Sequence, residues 1–491
     1  MKKSIYLKST LLMIVFILSS CDKHLQIDTD KPVHIFGKIE GSKFEEIIFN
    51  VSKQGSIAFK FDNLIAKVKK DGTFSIDIDA YTMAHTWIPL GNYFSIATIY
   101  LIPGDSIEMN IKFKKKDEQP DVTFRGKFAK FHNYFVQFEK LFPKEDEFYK
   151  HFYDNYDYEA SKKYWNNRKE KQLAFCDSSF KNTNLPTIAV REAKNDIIYE
   201  WAFNRTYYLY YHYFWHPNHE PIKLDGNDYD YLEEILVSNP WSKDSYSYIS
   251  FLNQYKDLIG KIVDSRWDKY PGYKKSLNVF FNYCDKNLEG ICKDIVIAMR
   301  LTGDLEYTSD AKKLDTMKMF VDKFGKKVKY EEYFQNVLDV YNRRLKMMPG
   351  NPAFNFTLKD FDGKTVNLSD FKGKIVYIDI WGLGCGPCME EIPHTKKLYD
   401  ELKNEKDLIF LSINTNNGYT EIIKDFIRKR GMPGIHLFTN QQEDILLREK
   451  FMYSGIPQYL LIDRKGNFID ADMYRPSNPK TKKKLLEALR M

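Results

Sequence analysis

The sequence predicts a multi-domain α+β protein with a β-sandwich-like domain first, a helical region in the middle and an α/β domain at the end. Three patterns in the 491 residues lead to this prediction. Apolar and polar residues alternate in short runs over residues 31–126. Long charged and aromatic stretches without that alternation fill residues 127–345. Strand-like and helix-like segments then follow one another over residues 349–491.

The first region contains runs such as residues 73–78 and 107–113, in which every second residue is apolar. Turn-forming residues at 70–72 (Lys-Asp-Gly) and 103–105 (Pro-Gly-Asp) separate these runs. A period of two buries one face of each strand. We therefore expect antiparallel strands that form a small sandwich or an open barrel.

The middle region predicts helices, for instance over residues 145–173 and 306–345, and prolines divide it into segments. His212 and His216 are four residues apart, a spacing that can bind zinc on one face of a helix. Pro217 follows directly, and no acid or cysteine stands at a ligand position. The pattern favours an aromatic packing or docking face, and we predict no metal site.

The N-terminus predicts a signal peptide over residues 1–20. Lysines precede an apolar run at residues 11–18, which is too short to span a bilayer. The segment Leu18-Ser19-Ser20-Cys21 resembles the lipobox of bacterial lipoproteins. That resemblance implies cleavage before Cys21, acylation of Cys21, a tether over residues 21–30 and a place on the membrane facing the periplasm. The alternative is an ordinary signal peptide with a chance cysteine.

The charge of the chain argues against nucleic-acid binding. Removal of residues 1–20 takes away three lysines and no acids, so the formal net charge falls from +7 to +4. The remaining Lys and Arg residues are interspersed with acids and form no basic stripe.

The pair Cys385-Gly386-Pro387-Cys388 carries the most specific chemistry in the chain. It follows a buried-looking strand at residues 374–380 and begins a predicted helix. The positive end of a helix stabilises a thiolate, which is the nucleophile of disulfide chemistry. The pair therefore predicts thiol–disulfide exchange, with a reversible Cys385–Cys388 disulfide and no further cofactor.

The rest of the third region predicts alternating strands and helices. Asp362-Gly363 between residues 354–358 and 365–368 indicates a hairpin. The further predicted strands are residues 408–413, 435–438, 458–463 and 468–471, and the further helices are residues 421–429, 444–451 and a terminal helix from residue 480. Together they predict a mixed sheet with both faces covered.

Several residues around the cysteine pair lie in the order and spacing of the thioredoxin fold: Asp379, Trp381, Cys385, Cys388, Glu391, Pro393, Ile456 and Pro457. With the N-terminal hairpin they resemble the TlpA/ResA branch, membrane-tethered thiol-disulfide oxidoreductases related to the AhpC/TSA proteins. The small β-rich domain ahead of such a domain also occurs in lipoproteins of this type. The resemblance implies disulfide-bearing client proteins and a membrane thiol electron donor.

The two cysteines are expected to differ in role. Cys385 would attack the client disulfide, and the more buried Cys388 would resolve the mixed disulfide. Cys388 must lose its proton for that step. Glu391, three residues further along the helix, and Asp379, on the preceding strand, are both candidate acceptors.

Client binding is predicted for Trp381, Ile456 and Pro457. The resemblance places Ile456-Pro457 in a cis turn facing the cysteines, where a backbone can bond an extended client chain. One departure stands out: Gly384 precedes Cys385, where thioredoxins usually carry a tryptophan. We expect this to expose the thiol and loosen its loop.

Other interpretations remain open. A peroxiredoxin-like antioxidant would need Thr or Ser three residues before its cysteine, where this chain has Gly382. A ligand-binding lipoprotein with an accessory thioredoxin-like domain is the non-enzymatic alternative. Cys284 and Cys292 could form a second disulfide, or could join Cys176 as buried free thiols.

Overall fold

The computed structural model describes residues 31–41, 44–52, 61–80, 83–90, 94–114, 119–143, 158–214, 226–263, 273–308, 311–416 and 420–491. The predicted signal peptide, the tether with Cys21, His216 and part of the predicted helical stretch 145–173 lie outside these ranges. The chain divides into two compact units. The first runs to residue 299 and includes 328–333, and the second holds 300–327 and 334–491. The boundaries of the three predicted domains, 31–126, 127–345 and 349–491, stay predictions.

The strands of the first unit form two four-stranded sheets, with orders β4-β1-β7-β8 and β3-β2-β5-β6. Their bounds are β1 Val33–Glu40, β2 Glu46–Ser52, β3 Phe61–Lys67, β4 Thr73–Ile78, β5 Ala84–Leu90, β6 Phe94–Leu101, β7 Ser106–Lys112 and β8 Asp121–Arg125. Residues of both sheets, such as Ile35 and Phe49, share one buried apolar cluster. The alternating pattern of the sequence thus becomes the inner faces of two stacked sheets.

One part of the β prediction is wrong: β1 and β7 pair in parallel, with Ile35 opposite Ile107. The other pairings within these two sheets are antiparallel. A period of two fixes which face of a strand is buried, but it does not fix the strand's direction. The pairing β1–β7 joins distant segments, so no hairpin turn sets its direction.

Helices follow the strands of the first unit and continue into the second. Their bounds are α1 Ala129–Leu141, α2 Tyr158–Phe180, α3 Thr187–Phe214, α4 Tyr246–Val263, α5 Tyr273–Asn287, α6 Gly290–Glu306, α7 Ala311–Phe324 and α8 Glu331–Lys346. Among the described residues, no helix is both long and apolar enough to cross a bilayer. Cys176, Cys284 and Cys292 are buried free thiols, so the Cys284–Cys292 bridge that the sequence left open is not formed.

The second unit contains a seven-stranded mixed sheet of order β10-β9-β13-β12-β11-β14-β15. Its strands are β9 Thr357–Asp360, β10 Thr365–Asn367, β11 Ile375–Trp381, β12 Leu408–Asn414, β13 Ile435–Phe438, β14 Gln458–Ile462 and β15 Phe468–Asp470. Its further helices are α9 Gly386–Leu402, α10 Thr420–Arg430, α11 Gln441–Phe451 and α12 Lys480–Leu489. Strands β11, β12 and β13 are mutually parallel.

The hairpin of this sheet is shorter than predicted, because β9 begins at Thr357 rather than at residue 354. Phe354 and Phe356 instead pack their rings against Phe451. Strand β11 lies in the middle of the sheet and is buried on both faces. Val376 and Ile378 enter one apolar cluster, and neighbouring residues of β11 enter another on the opposite face. This central strand leads directly to the cysteine pair.

Candidate active site

Cys385 and Cys388 form a disulfide at the start of α9, with an S–S distance of 2.14 Å. Cys385 is the N-cap residue of this helix, and its Sγ accepts a hydrogen bond from the Cys388 amide nitrogen at 3.2 Å. Pro387 lies in the first turn, where a residue without an N–H leaves no bond unmade. The Cys385 sulfur therefore sits where free N–H groups and the helix dipole stabilise negative charge.

The two sulfurs differ in access to solvent. Cys388 is 3% exposed, whereas Cys385 is only partly buried. The accessible Cys385 can meet a disulfide of another protein. Cys388 is placed to attack only what is already bonded to Cys385.

The Ile456–Pro457 bond is cis, and it directly precedes β14. The Ile456 carbonyl oxygen lies 3.5 Å from Cys385 Sγ. This loop therefore borders the reactive sulfur and contributes a backbone acceptor beside it.

Trp381 requires a correction of its predicted role in client binding. The residue is 2% exposed and lies in an apolar cluster with Cys388, Ile423 and Phe438. From there it supports the start of α9 and does not reach the surface that a client would contact. The cause is the alternation of side chains along β11, which places this last strand residue on the face covered by α10, where Ile423 lies.

Asp379 lies two residues before Trp381 on β11. Its Oδ1 is shielded from solvent and has no hydrogen-bond partner among the described residues. Burial, and secondarily the negative charge of Glu391, raise the pKa of Asp379 to about 7. A carboxyl group with a pKa near neutrality can both accept and release a proton at physiological pH.

The surroundings of Asp379 are only partly polar. Tyr459 stands directly opposite it in the antiparallel β11–β14 pair, and its hydroxyl favours the ionised carboxylate. Burial raises the pKa of Tyr459 far above its usual range, so that hydroxyl keeps its proton. Asp379 also lines a small cavity, together with Ser412 and Thr395. The centre of a water molecule can occupy a volume of about 20 Å³ there. That space is enough for one water.

Glu391 lies one turn after Cys388 on α9 and is 6% exposed. Its carboxylate accepts two hydrogen bonds from Ser477, one from the amide nitrogen at 2.9 Å and one from the hydroxyl at 2.6 Å. Each carboxylate oxygen of Glu391 thus already has a donor. Of the two candidate acceptors, Asp379 is thus the one with a buried oxygen that lacks a partner among the described residues, while the charge of Glu391 acts on it.

Two residues of this site were not predicted from the sequence. Ser477 is 86 positions from Glu391 and belongs to no motif, so no local pattern points to it. Tyr459 lies in the strand predicted at residues 458–463, but its place opposite Asp379 depends on the pairing of β14 with β11, which no local pattern gives. Among the described residues, no group of three or more His, Cys, Asp or Glu is arranged to hold a metal ion.

A family profile matches the part of the second unit that holds the cysteine pair. The profile of the Redoxin family matches residues 348–489. The thiol-disulfide oxidoreductase ResA of Bacillus thuringiensis (strain Al Hakam) is 31% identical over 126 residues, which are 26% of this chain and 69% of that protein. ResA of Bacillus subtilis (strain 168) is 30% identical over 132 residues, 26% of this chain and 70% of that protein.

Two solved structures are also similar. The thioredoxin domain of a thiol-disulfide oxidoreductase from Bacteroides vulgatus is 24% identical, covers 28% of this chain and 96% of that chain, and gives a TM-score of 0.26. A thiol:disulfide interchange protein from Bacteroides sp. is 23% identical, covers 30% and 93%, and gives a TM-score of 0.27.

Proposed function

We propose that this chain, which belongs to the ResA family of thiol-disulfide oxidoreductases, reduces disulfides of client proteins outside the cytoplasm. In this proposal, acylated Cys21 holds the enzyme at the membrane. The observation that supports this most is the position of Cys385. This residue is partly exposed, and its sulfur caps a helix N-terminus and lies beside the Ile456 carbonyl. The helix N-terminus stabilises the thiolate form of Cys385, and the exposure of this residue lets a client disulfide reach it.

The first chemical step starts from the reduced enzyme. The Cys385 thiolate attacks one sulfur of the client disulfide, forms a Cys385–client disulfide and releases the other client sulfur as a thiolate. The Cys388 amide stabilises the Cys385 thiolate before attack. The Ile456 carbonyl and the neighbouring backbone would bond the extended client chain, which fixes the line of attack.

The second step resolves the mixed disulfide. Asp379 takes the proton of Cys388, and the Cys388 thiolate attacks Cys385 Sγ. The Cys385–Cys388 disulfide forms and the client leaves with its second sulfur reduced. The client gains two electrons from the dithiol and takes up two protons, one returned by Asp379 and one from solvent, and the enzyme ends in the disulfide form that the structure describes. A membrane protein with a reactive dithiol would return two electrons and reset the cycle.

The direction of electron flow rests on the Gly-Pro spacer and on the ResA resemblance. The location rests on the lipobox-like residues before Cys21. A purified full-length chain carrying Cys21→Ser tests the direction by equilibration with glutathione buffers. A potential of the Cys385/Cys388 couple near or below about −250 mV supports a reductant, and one near about −120 mV an oxidant.

Trapping tests the order of the two sulfurs. Cys388→Ser stops the reaction after the first step, so it should accumulate mixed disulfides through Cys385. The matched control Cys385→Ser should accumulate none. If Cys388→Ser also forms no mixed disulfide with a reducible protein substrate, the proposed mechanism is wrong.

A further inference from the structure

The segment that joins β11 to α9 is a tight turn of Gly382, Leu383 and Gly384. The Cys385 amide nitrogen donates to the Gly382 carbonyl oxygen at 3.3 Å, and Gly384 has a φ of +91°. Two of its three residues are glycines, which have more backbone conformational freedom than any other residue. By itself this turn would hold Cys385 loosely.

Asn416 bonds both backbone groups of the central residue of this turn. Its side-chain Oδ1 accepts a hydrogen bond from the Leu383 amide nitrogen. Its Nδ2 donates to the Leu383 carbonyl oxygen at 3.2 Å. The amide side chain thus pairs with Leu383 as a neighbouring strand residue would.

Asn416 is itself held in place by Asn414, the last residue of β12. The Asn414 Nδ2 donates to Asn416 Oδ1 at 3.2 Å, and the Asn416 amide nitrogen donates to Asn414 Oδ1 at 3.0 Å. Asn414 is 2% exposed. The Asn416 amide therefore has a fixed orientation supplied by the rigid sheet rather than by its own loop.

The same turn is also closely packed. A Cβ atom at Gly382 would lie 2.8 Å from Ile456 Cδ1 and 3.2 Å from Asn416 Oδ1. A larger residue at this position would require the Ile456 side chain to shift, so glycine lets Asn416 and Ile456 approach the turn as closely as they do. Asn416, the turn and the loop beside the reactive sulfur thus form one packed unit.

We propose that Asn416 is a positioning residue, which fixes the turn before Cys385 and so keeps Cys385 Sγ in its hydrogen bond with the Cys388 amide. Gly384, the residue directly before Cys385, has no side chain that could hold the turn. Asn416 holds it instead. This inference rests on the proposed function, because it concerns the reactivity of the attacking sulfur.

The test measures the pH profile of alkylation of Cys385 by iodoacetamide in the reduced full-length chain, read on the Cys385 peptide by mass spectrometry. In Asn416→Ala the turn loosens and the Cys388 N–H no longer holds the thiolate. We expect the midpoint of the profile to move to higher pH and the rate at about pH 7 to fall about threefold or more. The rate at high pH, where the thiol is fully ionised, should stay within about twofold.

Asn440→Ala is the matched control. Asn440 caps α11, and its side chain also accepts a backbone hydrogen bond, from the Glu443 amide nitrogen. It lies in the same unit but outside the cysteine site, so its loss should leave the alkylation profile unchanged. Asn416→Ser serves as a second variant, because serine is too short to reach both groups of Leu383 but remains polar. If circular dichroism shows that Asn416→Ala does not fold, the alkylation profile of Asn416→Ser is the test.

An unchanged midpoint in the folded Asn416 variant would overturn the inference, and so would an equal shift in Asn440→Ala. The alkylation profile does not require client turnover. If the unmodified chain reduces disulfides while the Asn416 profile is unchanged, only this inference fails. If the unmodified chain cannot cycle between disulfide and dithiol, the proposed function fails first.

Discussion

Ser477 holds the carboxylate of Glu391 by two hydrogen bonds, from its amide nitrogen and from its hydroxyl. Hydrogen bonds of this kind stabilise a charged acceptor. The charge of Glu391 in turn raises the pKa of Asp379, whose Oδ1 has no partner among the described residues. In the proposed mechanism these two acids have different tasks, Glu391 as a fixed charge and Asp379 as a proton carrier.

The first prediction removes the fixed charge. Glu391→Gln keeps the shape of the side chain but takes away its repulsion of a charged Asp379. The pKa of Asp379 should therefore fall below about 7 while burial keeps it above its ordinary value. The ¹³C shift of the Asp379 carboxyl, followed against pH in the oxidised protein, measures this directly.

Glu390→Gln provides the control, since Glu390 is the preceding, exposed residue of the same helix. It removes the same charge from the chain, but solvent screens it. A titration midpoint of Asp379 that falls equally in both variants would mean that net charge, not the held Glu391 carboxylate, sets its value.

The second prediction concerns the resolving step. In Asp379→Asn the buried proton acceptor for Cys388 is lost, so resolution of the mixed disulfide should slow by about 10²-fold. The initial attack by Cys385 should change little. Acid quenching of the reaction with a small aromatic disulfide, followed by mass spectrometry, separates the two steps.

Asp400→Asn is the companion variant, because Asp400 is an exposed acid further along α9. It should resolve the mixed disulfide at the unmodified rate. Fast resolution in Asp379→Asn would instead assign the proton transfer to Glu391 or to solvent.

The third prediction is a pH dependence of stability in the oxidised protein. Burial raises the pKa of Asp379 in the folded protein from its ordinary 3.8 to about 7. Between these values the folded state binds more protons than the unfolded state, so the free energy of unfolding falls as pH rises. At ~1.4 kcal/mol per pH unit the upper limit of this loss is ~4 kcal/mol, and partial exposure makes it smaller.

Denaturant unfolding at about pH 5 and about pH 8 measures the part of this loss that falls between about pH 5 and 7, ~3 kcal/mol at most, with Asp379→Asn as the comparison. The asparagine variant should lose less stability over that interval than the unmodified protein. Equal losses in the two proteins would show that the slope comes from other groups.

Much of the second unit could be predicted from the sequence, because local chemistry determines it. Asp362-Gly363 marked the β9–β10 hairpin, and the Cys385–Cys388 spacing after an apolar strand marked the start of α9. In each case the signal lies within a few residues of the feature it specifies. Element ends still moved by up to three residues, as at β9.

Features set by distant contacts could not be predicted in this way. The Ser477–Glu391 bonds join residues 86 positions apart, and the parallel β1–β7 pair places Ile35 opposite Ile107, 72 positions away. The burial of Trp381 depends on which way β11 faces its neighbouring helices. Motif spacing gives the order of such residues along the chain but not which side chains cover them.

The last prediction concerns Gly384, the departure from the usual tryptophan. Its φ of +91° lies in a region that L-residues with a side chain seldom adopt, and a Cβ there would meet no atom within 4 Å. Gly384→Ala should therefore cost stability through backbone strain alone, about 1–2 kcal/mol.

Gly386→Ala is the matched control, two residues away. It too has open space around its Cβ, but its φ is not positive and it begins α9. There alanine should be neutral or stabilising by up to about 1 kcal/mol. Urea unfolding of the oxidised variants gives both values. A tolerated alanine at residue 384 would mean that the turn can change conformation, and that glycine stands before Cys385 for a reason other than backbone geometry.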